Sequence, residues 1–190
     1  MLVLASTSPY RRELLSRLVH DFEILSPGVD EVPLPGESPA ETALRLAQAK
    51  ARAGAARFPA ALVIGSDQVA ELDGVRLEKP GCHDVAVRQL QQASGRTVHF
   101  HTAVALLNAA TGGLQSRVVV SRVTFRPLSA AQIEAYLLRE QPYDCAGSAK
   151  AEGLGIALLR SIEGDDPTAL IGLPLIALVD MLTSEGHPIV

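Results

Sequence analysis

The sequence predicts a mixed α/β (α+β) fold, a twisted mixed sheet flanked by helices, and three observations carry that reading. Short apolar runs alternate with helical patterns through the first half of the chain. Two long strand-like segments then lie next to each other in sequence, and a further apolar strand signal follows a glycine-rich stretch.

Leu2 to Ala5 is an unbroken apolar run, as expected of a strand covered on both faces. Ser6-Thr7-Ser8-Pro9 follows, then a helical pattern with Leu14, Leu15 and Leu18 on one side. Ser8 suits the N-cap and Pro9 the first helical position, so the chain opens as strand, hydroxyl-rich turn, helix. Phe22 to Leu25 reads as a second strand leading into Pro27-Gly28-Val29-Asp30-Glu31, and an Ala-rich helix runs from about Ala40 to Arg57. Leu62-Val63-Ile64 is expected to be a third strand that ends at Gly65-Ser66-Asp67-Gln68. A short helix from Asp84 to Ala93 is expected to be capped by Asp84 and stopped by Gly95. Val98 to Leu107 and Arg117 to Phe125 form the long strands, joined across Asn108 to Gly113. A helix capped by Ser129 comes next, then an expected strand at Ile156 to Leu159 and a last helix over Leu175 to Leu182. No repeat, low-complexity tract or linker interrupts the 190 residues, which predicts one compact domain over 1–190 with a cleft between two lobes.

Composition narrows the function. A formal net charge of -4 argues against a protein that coats nucleic acid or an anionic membrane surface. The longest apolar run, Leu170 to Val179, is broken by Gly172 and Pro174 and is too short to span a bilayer. A signal peptide is not expected at the N-terminus, so the expected compartment is the cytoplasm. Cys82 and Cys145 lack the paired spacing of a disulfide framework or zinc site and are expected to be separate thiols.

Chemistry concentrates in a few places. Ser6-Thr7-Ser8-Pro9-Tyr10-Arg11-Arg12 sets hydroxyls and two arginines at the positive end of a helix dipole, a pattern suited to phosphate. The same residues would also make a capped surface helix with solvated arginines. Asp30, Glu31 and Asp67 follow strands, where ligands of open α/β sheets bind, and a hard cation needs only one or two carboxylates beside phosphate and water. Each carboxylate taken singly fits a turn cap better than a metal ligand. Lys50, Lys79 and Lys150 supply further positive charge, Lys79 in an extended Lys-Pro dipeptide and Lys150 among glycines. His99 and His101 share one face of a strand, which fits a half-exposed polar face better than a metal site. No Walker loop, dinucleotide fingerprint or nucleophile elbow occurs.

In order and spacing, these segments resemble the Maf family of nucleotide pyrophosphatases. The resemblance rests on Ala5-Ser6-Thr7-Ser8-Pro9-Tyr10-Arg11-Arg12, Val29-Asp30-Glu31, Gly65-Ser66-Asp67-Gln68-Val69, Lys79-Pro80, Ser94-Gly95, Cys145-Ala146-Gly147-Ser148, and Glu163-Gly164 leading to Gly172-Leu173-Pro174-Leu175. It implies a fold similar to the inosine triphosphate pyrophosphatases, hydrolysis between the α and β phosphates, and a homodimer. It also implies roles for particular residues. Asp67 would accept the proton, and Glu31 with Asp67 would hold a divalent metal cation (Mg, Mn or Co). Ser8, Arg11, Arg12, Lys50 and Lys79 would face the nucleoside triphosphate, and Ser6 and Lys150 are read as substrate-binding beside them. One departure is Glu78, where relatives carry glycine before Lys-Pro.

Three positions bear on the base. Tyr10, Gln68 and Glu152 resemble the subgroup that cleaves 7-methylguanosine triphosphate, whereas the dTTP and UTP subgroup has arginine, threonine and glutamine there. An aromatic face attracts the delocalised cation of N7-methylated guanine, and a carboxylate can accept from its N1–H and amine. The alternatives are a pyrimidine pyrophosphatase and a nucleotide-binding regulator of cell division without turnover.

Overall fold

The computed structural model describes all 190 residues. In chain order the elements are β1 (Leu2–Leu4), α1 (Pro9–Ser16), β2 (Glu23–Ile24), α2 (Pro39–Arg57), β3 (Leu62–Leu72), β4 (Val75–Leu77), α3 (His83–Ala93), β5 (Thr97–Asn108), β6 (Leu114–Phe125), α4 (Ala130–Glu140), β7 (Leu159–Glu163) and α5 (Leu175–Ser184). They form two compact units. The first comprises Met1–Gln68, Thr102–Val119 and Asp166–Val190, and the second Val69–His101 and Val120–Asp165.

In the first unit the strand order is β2-β1-β3-β5-β6. The first three are parallel, with Val3 opposite Glu23 and Leu4 opposite Ile64, while β5 and β6 form a hairpin closed by Asn108 N–H on Gly113 O at 2.9 Å. The sheet is therefore mixed, as expected. Alternation along β1 explains why its every residue is apolar. Leu2 and Leu4 pack with Leu14, Leu15, Ile64, Leu173, Leu178 and Leu182, whereas Val3 and Ala5 pack on the other face with Leu25, Ala61 and Val63. Each such buried leucine contributes about 1.5–3 kcal/mol relative to exposure.

Helices α1 and α2 start where hydroxyl caps dictate. Ser8 accepts from Arg11 N–H and is followed by Pro9, and Ser38 makes a reciprocal capping box with Glu41 before Pro39. Three expectations shift. The third strand does not end at Ile64 but runs eleven residues to Leu72, through Gly65-Ser66-Asp67-Gln68. Polar residues persist inside it because each has a buried partner, detailed below. Asp84 lies in the first turn of α3 rather than at its cap, which is Cys82 without a side-chain bond. Residues Leu154–Leu158 form a 3-10 turn, and the strand begins only at Leu159, where pairing with Phe125 of β6 starts. The long strands β3, β5 and β6 each contribute residues to both units.

In the second unit β4 pairs antiparallel with β3, and β7 antiparallel with β6. Helix α4 starts at a capping box of Ser129 and Gln132 and buries Ile133, Tyr136 and Leu137, packing beside α3. No helix in the chain is long and apolar enough to cross a membrane. Cys82 and Cys145 are free thiols.

Candidate active site

The site is built at the carboxyl ends of β1 and β2 and in the middle of β3, within the first unit. Helix α2 approaches β3 closely because Gly65 has no side chain. A Cβ there would lie 2.1 Å from the Ala47 carbonyl oxygen and 2.6 Å from the Ala51 nitrogen. The inward stripe of α2 is Ala43, Leu46, Ala47, Lys50, Ala51 and Gly54, so a lysine occupies a core-facing position. Lys50 is only 4% exposed. A buried ammonium is tolerated only when paired. Lys50 Nζ sits 2.7 Å from Asp67 Oδ1 and 2.6 Å from a Glu31 carboxylate oxygen. One cation thus gathers two carboxylates that lie thirty-six residues apart in sequence.

Opposite faces of β3 divide the work. Asp67 shares the α2 face with Gly65, while Ser66 and Gln68 point the other way, toward the loop 166–174. Ser66 Oγ donates to Gly172 O at 2.9 Å. Gln68 Nε2 lies 2.9 Å from Thr102 Oγ1 and 3.0 Å from both the Ala169 and Leu170 carbonyls. The Gln68 amide N–H groups are therefore committed to holding this loop.

Arg11 enters from the first turn of α1. Its Nε donates to Gly172 O at 2.9 Å and its terminal nitrogen lies 3.5 Å from Ser6 Oγ, which also accepts from Ser8 N–H at 3.2 Å. Burial lowers the pKa of the Arg11 guanidinium, and the charges of Asp67 and Glu31 act in the opposite direction. Arg11 is thus a partly buried cation held in the field of both carboxylates.

A second network sets the loop that carries Glu31. Glu37 accepts from Leu34 N–H and Thr42 Oγ1, each at 2.9 Å, and is paired with Arg45, whose terminal nitrogen also donates to Val32 O at 3.1 Å. Asp30 closes its own turn by accepting from Val32 N–H at 3.0 Å. Of the two adjacent carboxylates, only Glu31 reaches Lys50.

The first unit thus brings Ser6, Ser8, Arg11, Glu31, Lys50 and Asp67 together, with Tyr10 partly buried and Arg12 exposed on α1. Lys79, Lys150 and Glu152 belong to the second unit. There Lys79 and Glu152 are exposed, and Lys150 pairs with Glu140 at 3.5 Å. Sequence reading missed Ser66, Gly172, Asp166, Thr168, Glu37 and Arg45. An accessible signal existed for Lys50, a charge in an otherwise apolar helical stripe, but none for carbonyl acceptors such as Gly172.

Glu31 and Asp67 present hard oxygen donors around one cationic position, and the chain contains no cluster of three or more His, Cys, Asp or Glu side chains able to hold a metal. That donor set fits an ion of the magnesium type, which takes one or two carboxylates and completes its shell with phosphate oxygens and water. His101 is engaged elsewhere, its Nε2 3.1 Å from Glu71 Oε2.

Fold and site define a mixed α/β protein with a charged, oxygen-rich centre at its strand ends, and residues 1–185 match the family described as Maf-like protein. The chain belongs to that family. Its relatives include the 7-methyl-GTP pyrophosphatase of Methylobacillus flagellatus, 60% identical over 189 residues that cover 100% of this chain and 98% of the relative. The 7-methyl-GTP pyrophosphatase of a Polaromonas species is 62% identical over 185 residues, covering 97% of this chain and 84% of the relative. Among solved structures, the Staphylococcus aureus Ham1 protein aligns over 66% of this chain and 72% of its own, at 17% identity and a TM-score of 0.48.

Proposed function

We propose that this protein is a metal-dependent nucleoside triphosphate pyrophosphatase that hydrolyses 7-methyl-GTP to 7-methyl-GMP and diphosphate. The observation that carries the reading is the Glu31–Lys50–Asp67 arrangement, in which a buried ammonium draws two carboxylates onto one centre beside Arg11. Full-length relatives at about 60% identity that carry the 7-methyl-GTP pyrophosphatase name support the substrate.

In this reading Asp67 orients the attacking water and takes its proton, and diphosphate leaves as the bond between the α and β phosphates breaks. Arg11, Arg12 and the hydroxyls of Ser6 and Ser8 bind the phosphates and offset charge on the departing diphosphate. Lys50 keeps Asp67 and Glu31 aimed at a common point. A magnesium, manganese or cobalt ion held by those two carboxylates would supply Lewis-acid polarisation of a phosphate oxygen. Base selectivity is read from Tyr10, whose aromatic face suits the methylated, cationic guanine, and, as the resemblance implies, from Glu152, whose carboxylate can accept from guanine N1–H and amine. Gln68 acts on the base through the loop its amide holds. The working form is read as a cytoplasmic homodimer, as the family resemblance implies.

The test is pyrophosphate release from 7-methyl-GTP, GTP, dTTP and UTP with each metal, for wild type and Asp67→Asn. Asp67→Asn should bind nucleotide yet lose about a hundredfold or more in rate. Faster turnover of dTTP or UTP would transfer the chain to the pyrimidine subgroup. Nucleotide binding without any release would make it a regulator.

A further inference from the structure

The short segment that carries Glu152 is clamped at both ends by a single face of α4. Tyr136 and Glu140 stand one helical turn apart on that face. The Tyr136 hydroxyl accepts from the Lys150 backbone N–H at 3.0 Å. Glu140 Oε2 accepts from Leu154 N–H at 2.6 Å, and its Oε1 lies 3.5 Å from Lys150 Nζ. Between these anchors the chain turns tightly, with Gly153 N–H on Lys150 O at 3.1 Å.

Two details indicate that the clamp is specific. A Cβ at Gly153 would lie 2.8 Å from both Glu140 carboxylate oxygens, so the absent side chain lets the carboxylate lie directly against the turn. An acidic residue at the last position of a helix also opposes the helix dipole, which disfavours Glu140 there unless something compensates. The compensation is the Leu154 N–H and the Lys150 ammonium, both on the clamped segment. Tyr136 is 3% exposed, and burial raises the pKa of its phenol, keeping a neutral hydroxyl under Lys150 N–H. Glu152 itself stays exposed, held only through its neighbours.

We propose that Tyr136 and Glu140 are positioning residues for base selectivity, fixing the Lys150–Leu154 turn so that the Glu152 carboxylate meets the guanine edge preorganised. This rests on the proposed base-selecting role of Glu152. A fixed carboxylate discriminates because its hydrogen bonds are made without ordering a loop on binding; a loose one loses that advantage for the correct base and not for others.

Tyr136→Phe, Glu140→Gln, Glu140→Ala and Glu152→Gln are compared for kcat and KM with 7-methyl-GTP and with dTTP, alongside melting temperature. Tyr136→Phe and Glu140→Gln should each lower the ratio of kcat/KM for 7-methyl-GTP over dTTP about tenfold, through KM, with Glu140→Ala lowering it further. Glu140→Gln keeps an acceptor for Leu154 N–H, so the gradation separates the backbone bond from the ion pair. Equal losses on both substrates, or a lower melting temperature with an unchanged ratio, would overturn the positioning role. An unchanged ratio in Glu152→Gln would sink the base-selecting reading of Glu152 and the clamp with it. A reduced ratio in Glu152→Gln beside unaffected α4 variants would defeat the clamp alone.

Discussion

Arg11 and Ser66 share one acceptor. Arg11 Nε and Ser66 Oγ each donate to the Gly172 carbonyl at 2.9 Å, so both lone pairs of that oxygen are used. The shared carbonyl locks the guanidinium of α1 in register with β3, where the residue after Ser66 is Asp67. Gly172 adopts φ 131°, and a Cβ there would sit 3.7 Å from Arg11 Nε, so the tight backbone conformation and the close guanidinium occur at one point.

Ser66→Ala removes half of that lock. Gly172 O keeps Arg11 as a donor, so no buried polar group is orphaned, and the stability loss should be about 1 kcal/mol. Arg11 would gain freedom, and kcat/KM for the nucleotide should fall about three- to tenfold. Thermal melts and steady-state kinetics check both; full activity in Ser66→Ala would show that Arg11 needs no such partner.

Gly65→Ala addresses the opposite face of the same strand. The new methyl would meet the Ala47 oxygen at 2.1 Å and the Ala51 nitrogen at 2.6 Å, and backbone atoms of a helix cannot step aside as a flexible side chain can. Helix α2 must retreat, taking Lys50 away from Asp67. A loss of about 3 kcal/mol in urea denaturation is expected, with pyrophosphate release impaired in whatever protein stays folded. A variant within 1 kcal/mol of wild type would mean that α2 is less tightly seated than these distances require.

Those two substitutions also mark where sequence reading reached its limit. The starts of α1 and α4 were legible because the caps Ser8-Pro9 and Ser129 act locally, within three residues. The length of β3 was not legible. Ser66, Asp67 and Gln68 look like a loop because their partners, Gly172, Lys50 and Thr102, are remote in the chain, and only the folded structure makes burying them inexpensive. Alternation could not place the start of the last strand at Leu159 either, because that start is set by pairing with Phe125 of β6, remote in sequence. Candidate site residues emerged from carboxylates after strands, from hydroxyls and arginines at a helix start, and from the family resemblance. The side chains that hold the Glu31 loop and the Gly172 carbonyl are ordinary surface-type residues in sequence and gained meaning only from their partners.

Acid should loosen the Glu31 loop through Glu37. The Arg45 hydrogen bond, with support from the Leu34 amide and the Thr42 hydroxyl, lowers the pKa of this carboxylate from 4.5 to about 2. A depressed carboxylate contributes its stabilisation fully above the unfolded value. That contribution declines as pH falls below 4.5 and is gone once pH passes below about 2. The Leu34 amide resonance and its exchange protection should therefore titrate in this window in wild type and be insensitive to it in Glu37→Gln. A midpoint near the ordinary carboxylate value would rule out the Arg45 pairing in solution.

Asp166→Ala tests how the Gly172 carbonyl is held from behind. Helix α5 begins after Pro174, which supplies no side-chain cap, and Asp166 substitutes from a distance by accepting from Ile176 N–H at 2.8 Å. Its other oxygen accepts from Thr168 N–H at 2.9 Å, and the Thr168 hydroxyl accepts from Leu175 N–H at 2.9 Å. Asp166 is 3% exposed, and truncation removes the acceptor of the Thr168 and Ile176 N–H groups. The cost should be about 2–4 kcal/mol, and Asp166→Asn, which keeps one oxygen but turns an amide N–H₂ toward a donor, should fall between alanine and wild type. Because Gly172 N–H bonds to the Thr168 carbonyl at 3.2 Å, a slack loop also lets the Gly172 oxygen drift from Arg11 and Ser66. Activity should then fall more than the unfolded fraction explains, measured by kinetics well below the melting temperature. Activity falling only in proportion to unfolding would leave Asp166 as a helix cap with no influence on the site.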